Sequence, residues 1–301
     1  MTQSTATLIN GTQIASAQRQ EIKTRVDKLK EHGVIPKLAV LLVGGHPPSQ
    51  IYVKYKQKAA KEVGIATAIH HFDESVDLKT LYKCVDQLNT DKQIHGILVQ
   101  LPLPKHFSNE EMWSVVERVS PQKDVDGLHP SNQGLIAHSN GLPHAPQRGF
   151  VACTPLGCLR LLQEYVGDLE GLHAVVVGRS RIVGHPMANL LTKANATVTL
   201  CHSRTKHLSQ HLKVADIIIA AAGIPQLIKA EDVSDKAVII DVGIHRLANG
   251  RLCGDADFEQ LNQKVKAISP VPGGVGPMTI ASLMNNVCLA AERIQQHSPN
   301  T

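Results

Sequence analysis

A strand, a turn and the start of a helix follow one another in the segment His173-Ala-Val-Val-Val-Gly-Arg-Ser-Arg-Ile-Val-Gly-His-Pro186. Its apolar, β-branched beginning predicts a buried strand. Gly178 and Gly184 allow the backbone of the turn to approach a ligand closely, and the N-terminus of the next helix favours a phosphate. The glycine spacing differs from the usual G-x-G-x-x-G, but the position after a strand indicates a nucleotide-binding turn of a parallel α/β sheet.

Outward from this stretch, apolar β-branched runs alternate with helical patterns along most of the chain. Such alternation is typical of parallel strands covered by helices on both faces of a sheet. We therefore predict an α/β fold. The predicted strands are residues 37–43, 94–100, 173–177, 197–201, 216–220 and 237–242, and the predicted helices include residues 49–63, 77–88, 186–194 and 208–214.

A break in this alternation falls at residues 132–150, which are rich in Gly, Pro, His and Asn and have little periodicity. Thr154 and Pro155 then predict a helix start, with a capping hydroxyl and a proline at the first helical position. By the same logic the last helix begins at Gly276-Pro277, and it could pack back on the first domain. We expect two domains, residues 1–150 together with helix 277–301, and residues 151–276.

Composition and charge narrow the class of protein. The chain has 301 residues, a formal net charge of +5 and 3% aromatic residues, without a run of basic residues. We therefore expect weak attraction for small anions and no nucleic-acid partner. No apolar run is long enough to span a bilayer, and residues 1–11 do not resemble a signal peptide, so we expect no membrane partner. Six cysteines without a CxxC pair favour a reducing, cytoplasmic compartment, and sixteen histidines without an HExxH motif favour no metal site.

The end of the second strand of the nucleotide-binding unit indicates which dinucleotide binds. Enzymes that prefer NAD place Asp or Glu there to bind the ribose hydroxyl. This chain has Ser203 and Arg204 instead, and Arg179 lies in the first turn. Cations and hydroxyl donors suit a 2′-phosphate, so these residues favour NADP. The alternative is an ordinary strand-to-helix turn with solvated arginines.

One lysine of the predicted helix 49–63 points where the apolar residues point. At about 100° per residue, Lys56 lies on the stripe formed by Tyr52 and the apolar positions, whereas the other lysines cluster on the opposite side. A lysine on a buried stripe is costly unless it is paired, and burial lowers its pKa. Lys56 is therefore a candidate for proton transfer. The alternative is that it lies at the edge of the stripe and extends to water.

Polar residues at strand ends and in loops provide further candidates. Gln100 ends the strand 94–100 before Leu-Pro-Leu-Pro, which cannot continue a ladder, and ligands gather outside the carboxyl ends of such strands. It could instead hydrogen-bond its own loop. Asp124 and Asp126 lie in Lys123-Asp-Val-Asp-Gly127. Either carboxylate could be a turn former or a bidentate partner for the edge of a nitrogenous ring, and the spacing leaves both interpretations open.

The segment Pro270-Val-Pro-Gly-Gly-Val-Gly-Pro-Met-Thr279 concentrates three glycines and several prolines before a helix. A backbone of this kind suits close contact with a planar ligand. The alternative is a plain loop that leads into the helix.

Five stretches of the chain together resemble the bifunctional methylenetetrahydrofolate dehydrogenase/cyclohydrolase family. They are Tyr52-Val-Lys-Tyr-Lys56, Gly96-Ile-Leu-Val-Gln-Leu-Pro-Leu-Pro104, Lys123-Asp-Val-Asp-Gly127, Gly178-Arg-Ser180 and Pro272-Gly-Gly-Val-Gly-Pro-Met-Thr279. The resemblance covers essentially the whole chain. It implies an N-terminal α/β substrate domain and a Rossmann-like NADP domain, with the active site in the cleft between them. At the hinge between the domains, Ala152-Cys-Thr-Pro155 departs from the Pro-Cys-Thr-Pro of many relatives.

The resemblance implies two reactions on a tetrahydrofolate derivative. 5,10-Methylenetetrahydrofolate gives a hydride to NADP, and water then opens the methenyl cation to 10-formyltetrahydrofolate, which serves one-carbon metabolism and purine biosynthesis. Lys56 would be the central catalytic residue of the hydrolysis, and Gln100 would hydrogen-bond it and help set its protonation state. Tyr52 would pack against the aminobenzoate ring, and Asp126 would anchor the pterin edge. Further substrate contacts are expected from Val99, Leu101, Pro272, Gly273, Gly274, Val275 and Gly276, and cofactor contacts from Gly178, Arg179, Ser180, Ser203 and Ile244.

The family also implies a homodimer through the second domain, and it needs no metal because the substrate already carries a stabilised iminium. Two other functions fit parts of the sequence. One is a shikimate-dehydrogenase-like NADP enzyme, which would not need Tyr52 and Lys56 together with Gln100. The other is a folate- or NADP-binding regulatory protein without catalysis, which would not need to keep Lys56, Gln100 and Asp126.

Overall fold

The computed structural model describes residues 5–139 and 149–297, and these residues form two compact α/β units. The N-terminal unit comprises residues 16–135, 149–153 and 280–297 of the described chain. The C-terminal unit comprises residues 5–15, 136–139 and 154–279. None of the helices in the described ranges is long and apolar enough to cross a membrane.

Strands and helices alternate along both units. In chain order the elements are β1 (Thr7–Leu8), α1 (Gly11–Glu31), β2 (Lys37–Val43), α2 (Pro47–Val63), β3 (Ala66–Phe72), α3 (Leu78–Thr90), β4 (Gly96–Val99), α4 (Asn109–Glu117), α5 (Pro130–His138), α6 (Cys153–Tyr165), β5 (His173–Val177), α7 (Gly184–Lys193), β6 (Thr197–Cys201), α8 (Leu208–Lys213), β7 (Ile217–Ala220), β8 (Val238–Asp241), β9 (His245–Arg246), β10 (Leu252–Cys253), α9 (Phe258–Leu261), β11 (Ala267–Ile268) and α10 (Val275–His297). A short 3-10 helix covers Ala230–Asp232.

The N-terminal unit is built on a parallel sheet with the strand order β3-β2-β4. Strand β2 is central and almost entirely buried, because apolar residues occupy both of its faces. Helices α1, α2 and α10 contribute side chains to the same core as the strands, among them Ile22, Val53 and Met284. This packing fixes the position of α2 relative to the end of β4.

The C-terminal unit is built on a parallel sheet with the strand order β1-β11-β8-β7-β5-β6. Strand β6 follows β5 on one side of it, whereas β7 lies on the other side. The chain therefore reverses its direction of winding at β5, and ligands bind at the carboxyl ends of strands at such a point. The hairpin β9–β10 follows β8 and is antiparallel.

The six predicted strands are confirmed, and those at residues 37–43, 173–177 and 197–201 have the predicted bounds. Strand β3 was not predicted from the sequence. This strand lies at the edge of its sheet, and its residues, including His70 and His71, are half-buried or exposed. The β-branched apolar run that marks a buried strand is therefore missing.

The predicted break at residues 132–150 is wrong at its beginning, because α5 covers Pro130–His138. The helix lacks an apolar stripe, so hydrophobic periodicity could not reveal it. Residues 140–148 of the predicted break lie outside the described residues. The two predicted helix starts lie within a few residues of those found, since α6 begins at Cys153 and α10 at Val275.

Candidate active site and cofactor site

Helix α2 presents one lysine on its inner side. The helix begins with Pro47, and its C-cap Gly64 adopts a left-handed conformation with φ 81°. Val53, Ala59, Ala60 and Val63 are buried, and Lys56 is half-buried, as the periodicity predicts. The exposed side of the helix carries Lys54, Lys58 and Lys61.

The side chain of Gln100 is a hydrogen-bond partner of the Lys56 amine. The Nζ atom of Lys56 donates a hydrogen bond to Oε1 of Gln100 at 2.8 Å. The Nε2 atom of Gln100 donates to the carbonyl of Leu101, also at 2.8 Å, so its oxygen is left to face the lysine. The interpretation that Gln100 hydrogen-bonds its own loop is therefore confirmed, and the same amide also binds the lysine. Its contact with a ligand stays a prediction.

Burial and a nearby carboxylate set the protonation of Lys56. Burial lowers the pKa of Lys56 below its ordinary 10.5, and the negative charge of Asp126 opposes this shift. Burial raises the pKa of Asp126, and the charge of Lys56 opposes that shift in turn. The neutral amine is thus more accessible near neutral pH than in an ordinary lysine.

The two aspartates of the Lys123–Gly127 loop have different surroundings. The buried carboxylate of Asp124 accepts hydrogen bonds from the backbone N–H of His129 at 2.8 Å and from Nδ2 of Asn132 at 2.7 Å. It therefore organises the loop and the start of α5, and burial raises its pKa to about 7. Asp126 is half-buried and interacts with Lys56. The structure thus distinguishes the two carboxylates, whose roles the spacing left open: Asp124 binds its own loop, and Asp126 interacts with Lys56.

Three residues of this site were missed by the sequence analysis. Cys153 is buried, and its Sγ donates to the carbonyl of Val125 at 3.3 Å. Burial, followed by the charge of Asp126, raises the pKa of the Cys153 thiol well above 9.0. Asn286 donates to the carbonyls of Val125 at 2.9 Å and Val151 at 3.0 Å, which fixes the backbone on both sides of the site. Only contacts distant in sequence reveal these two residues.

Ser49 is the third missed residue, and a sequence signal for it existed. It is buried, and its Oγ lies 3.0 Å from Nδ1 of His46. Two helical turns separate it from Lys56, so both residues lie on the inner stripe of α2. Tyr52 lies between them and is half-buried, and burial raises its pKa. Val99 is buried and Leu101 is half-buried beside Gln100.

The glycine turn after β5 is built for close backbone approach. Gly178 has φ 122°, and a Cβ there would overlap the carbonyl of Ala221. A Cβ on Gly184 would overlap the backbone of Gly178 and Arg179. Because Ser180 Oγ accepts from the N–H of Val183 at 3.1 Å, the turn leads directly into α7. Both glycines are therefore required by the fold of the turn.

Polar and apolar side chains also follow the carboxyl ends of neighbouring strands of this sheet. Arg179 and Ser180 are exposed in the turn, and Ser203 and Arg204 are exposed after β6. Ile244 follows β8 and is 48% exposed. These residues suit a phosphorylated dinucleotide. The glycines allow the backbone of the turn to approach a phosphate, and the side chains of Arg179 and Arg204 are exposed to solvent.

The predicted substrate loop at residues 272–276 belongs to the C-terminal unit. Gly273 has φ 107° and accepts a hydrogen bond from the N–H of Thr12 at 3.0 Å. Pro272 and Gly276 are exposed, whereas Gly274 and Val275 are buried. The segment is thus a tightly packed entry to α10 that leaves two positions open to solvent.

One α/β unit carries a glycine turn on a parallel sheet, and the other carries a half-buried lysine beside a carboxylate. Together these features define a dinucleotide-dependent enzyme. The family model described as the tetrahydrofolate dehydrogenase/cyclohydrolase catalytic domain matches residues 9–126. The model of the NAD(P)-binding domain of the same family matches residues 152–295. The chain therefore belongs to the tetrahydrofolate dehydrogenase/cyclohydrolase family.

Individual relatives agree with this assignment. The bifunctional protein FolD of Campylobacter concisus is 50% identical over 285 residues, covering 95% of this chain and 97% of the relative. The crystal structure of the bifunctional enzyme from Campylobacter jejuni is 44% identical with a TM-score of 0.90, covering 96% of this chain and 99% of that one. The Trypanosoma brucei enzyme, solved with NADP cofactor and inhibitor, is 33% identical with a TM-score of 0.90, covering 97% and 99%.

Proposed function

We propose that Lys56 is the proton-transfer residue of a bifunctional folate enzyme. The enzyme oxidises 5,10-methylenetetrahydrofolate to the methenyl cation with NADP and hydrolyses that cation to 10-formyltetrahydrofolate. The observation that carries the residue assignment is the hydrogen bond of 2.8 Å between Lys56 Nζ and Gln100 Oε1, made by an amine whose pKa is lowered by burial. An ordinary surface lysine would stay protonated at neutral pH and could not accept a proton.

The hydrolysis needs one group that first takes a proton and later returns it. Water adds to the carbon between N5 and N10 of the cation, and neutral Lys56 takes the proton that the water loses. The bond from this carbon to N5 then breaks as the ammonium of Lys56 delivers its proton to N5. The hydroxyl on the same carbon loses its proton to water and becomes the formyl carbonyl, so one proton is released overall. The formyl group remains on N10, and Lys56 is again neutral.

Other side chains of the N-terminal unit bind and orient the substrate in this proposal. Asp126 accepts hydrogen bonds from the pterin edge, and its charge also stabilises the ammonium form of Lys56. The ring of Tyr52 packs against the aminobenzoate ring. Val99 and Leu101 add apolar contacts on either side of Gln100. Residues 272–276 contribute backbone contacts to the folate.

NADP, when bound, accepts the hydride that leaves the methylene carbon. Gly178 and Ser180 supply a turn whose backbone approaches the pyrophosphate. Arg179 and Ser203 bind the 2′-phosphate by charge and hydrogen bonding. Ile244 offers an apolar surface to the cofactor. The end of β6 carries no acidic side chain of the kind that binds the free ribose hydroxyl in enzymes that prefer NAD.

The function is tested by supplying 5,10-methylenetetrahydrofolate with NADP or NAD and following the absorbance of the methenyl product. We expect NADP-dependent methenyl formation and a subsequent decay as water opens the product. A purified, folded chain that forms no methenyl product with NADP would refute the proposal.

The pH profile of the hydrolysis tests the role of Gln100. In Gln100→Glu, a carboxylate replaces the amide oxygen that lies 2.8 Å from Lys56 Nζ. A negative charge at this position raises the pKa of Lys56, so the neutral amine forms only at higher pH. We expect the ascending limb of the profile to move up by about one to two pH units. Gln93→Glu, at an exposed position before β4, is the control, and an unchanged limb in Gln100→Glu would contradict the assignment.

We extend the proposal to the roles of the domains, the assembly and the compartment. Residues 1–150 with helix 277–301 act as the folate-binding catalytic domain, and residues 151–276 act as the NADP-binding domain, which the ranges of the two family models support. The enzyme works as a homodimer through its second domain, for which the mass in solution should be twice the 32.6 kDa of the chain. It acts in the cytoplasm, where its product serves purine biosynthesis, and fluorescence of a tagged chain tests the compartment.

A further inference from the structure

A buried carboxylate in the C-terminal unit joins two loops at the edge where the cofactor is proposed to bind. Asp255 has no exposed surface. Its Oδ1 lies 2.7 Å from Nε2 of His245, and its Oδ2 accepts from the backbone N–H of Gly223 at 2.8 Å. Gly223 lies in the loop after β7, and His245 lies at the end of the loop after β8, where β9 begins. We call residues 221–224 the β7 loop and residues 242–245 the β8 loop.

The local sequence forces Asp255 into this position. The hairpin β9–β10 turns the chain back, so that Asp255 returns beneath the β8 loop that precedes the hairpin. Asp241, at the end of β8, accepts from the backbone N–H of Gly243 and of Asp255, each at 2.9 Å. A Cβ on Gly243 would overlap the carboxylate of Asp255, and a Cβ on Gly254 would overlap that of Asp241. Two glycines thus make room for two buried carboxylates.

The two loops carry apolar side chains that face solvent. Ile224 in the β7 loop is 50% exposed and Ile244 in the β8 loop is 48% exposed. The β7 loop also lies against the nucleotide-binding turn, because a Cβ on Gly178 would overlap the carbonyl of Ala221. Any shift of this loop would therefore change the space available beside Gly178.

We propose that Asp255 is a positioning residue for the cofactor, which holds the β7 and β8 loops together so that Ile224 and Ile244 form one apolar shelf for the nicotinamide ring. Asp255 contacts the β8 loop through the side chain of His245. The inference rests on the proposed function, since it assumes NADP binding at this edge. Asp255 itself lies beneath the two loops and does not touch the cofactor.

Movement of the β7 and β8 loops would displace the nicotinamide ring and slow the dehydrogenase reaction. Hydride transfer to the nicotinamide ring slows when the ring is displaced by even about 1 Å. Hydrogen bonds to a charged acceptor are stronger than neutral ones, and a buried carboxylate that loses a partner stays desolvated without compensation. Asp255 therefore keeps both loops in one arrangement before the cofactor arrives.

Four variants test the proposal. Asp255→Asn keeps the volume but loses acceptor capacity, and His245→Ala releases only the β8 loop. His245→Gln keeps a neutral N–H donor on a side chain of similar reach. Asp257→Asn is the matched control, because Asp257 is buried two residues away but pairs with Lys229 at 2.9 Å and not with either loop. Each is assayed for NADP binding by calorimetry, for the KM of NADP and kcat of the dehydrogenase, and for hydrolysis of methenyl substrate without NADP.

We expect NADP binding to weaken by about tenfold or more in Asp255→Asn and His245→Ala, with a lower dehydrogenase kcat. His245→Gln should stay within about threefold of the parent protein. Hydrolysis without NADP should not change in any of the four variants. Thermal unfolding is measured in parallel, and all binding is compared well below the unfolding midpoint.

Two outcomes overturn the proposal. One is unchanged NADP binding and kcat in folded Asp255→Asn and His245→Ala. The other is an equal loss in the Asp257→Asn control, which would make Asp255 a structural residue like its neighbour. Failure of the proposed function is recognised separately, because the unsubstituted chain would then bind no NADP.

Discussion

Lys56→Ala is expected to lower kcat of the methenyl hydrolysis by about 10²- to 10⁴-fold, the range by which a positioned proton-transfer group accelerates a reaction. Alanine removes the amine that Gln100 holds at 2.8 Å and leaves no other lysine on the inner side of α2. The hydride step needs no proton at this position. Methenyl product should therefore accumulate when the variant is given 5,10-methylenetetrahydrofolate and NADP.

The control for this variant is Lys58→Ala. Lys58 is exposed on the same helix, two residues from Lys56 and on the opposite side. Its replacement removes the same charge from the chain but should leave both activities unchanged. The decay of methenyl absorbance measures the hydrolysis directly, and decay at the parent rate in Lys56→Ala would eliminate the proposed role.

Gly184→Ala is expected to reduce NADP binding by about 100-fold or more and to lower the free energy of unfolding by about 1–3 kcal/mol. The new methyl group would overlap the carbonyl of Gly178 and the Cα atom of Arg179. Backbone atoms cannot rotate away as a flexible side chain can. The turn must open instead, and its N–H groups then no longer converge on the pyrophosphate.

Gly134→Ala provides the comparison. Gly134 lies within α5, and a Cβ there meets nothing within 4 Å. The substitution should stabilise the helix by about 1 kcal/mol, since alanine is the better helix former. Calorimetric titration with NADP and chemical unfolding measure both effects, and parent-like NADP affinity in Gly184→Ala would show that the turn does not bind the pyrophosphate.

The elements that the sequence predicts best are those with a continuous run of β-branched or apolar residues. Strand β5 has its predicted bounds because its β-branched run has no polar interruption. Lys56 was found because the periodicity of α2 distinguishes its side of the helix from that of Lys58. In both cases the information is local, and local patterns are what hydrophobic periodicity records.

The remainder depends on contacts between distant residues. Asn286 lies 161 positions from Val125, yet one hydrogen bond joins them. Asp255 resembles an ordinary turn former until the chain folds back beneath the β8 loop. Edge strand β3 lacks the apolar pattern because only part of each residue is covered. Such features follow from tertiary packing, and spacing along the chain does not encode them directly.

The burial of charged groups around Lys56 also has a thermodynamic consequence. Lys56 has a lowered pKa in the folded chain, so the unfolded chain binds more protons between that value and 10.5, and stability rises with pH across this window. Asp124 has a pKa raised to about 7, so the folded chain binds more protons between 3.8 and 7, and stability falls with pH there. Burial of the Lys56 ammonium therefore lowers the free energy of unfolding at pH values below its lowered pKa, and burial of the Asp124 carboxylate lowers it above about pH 7. The same removal from water that makes the neutral amine of Lys56 accessible is thus subtracted from the stability of the fold that carries it.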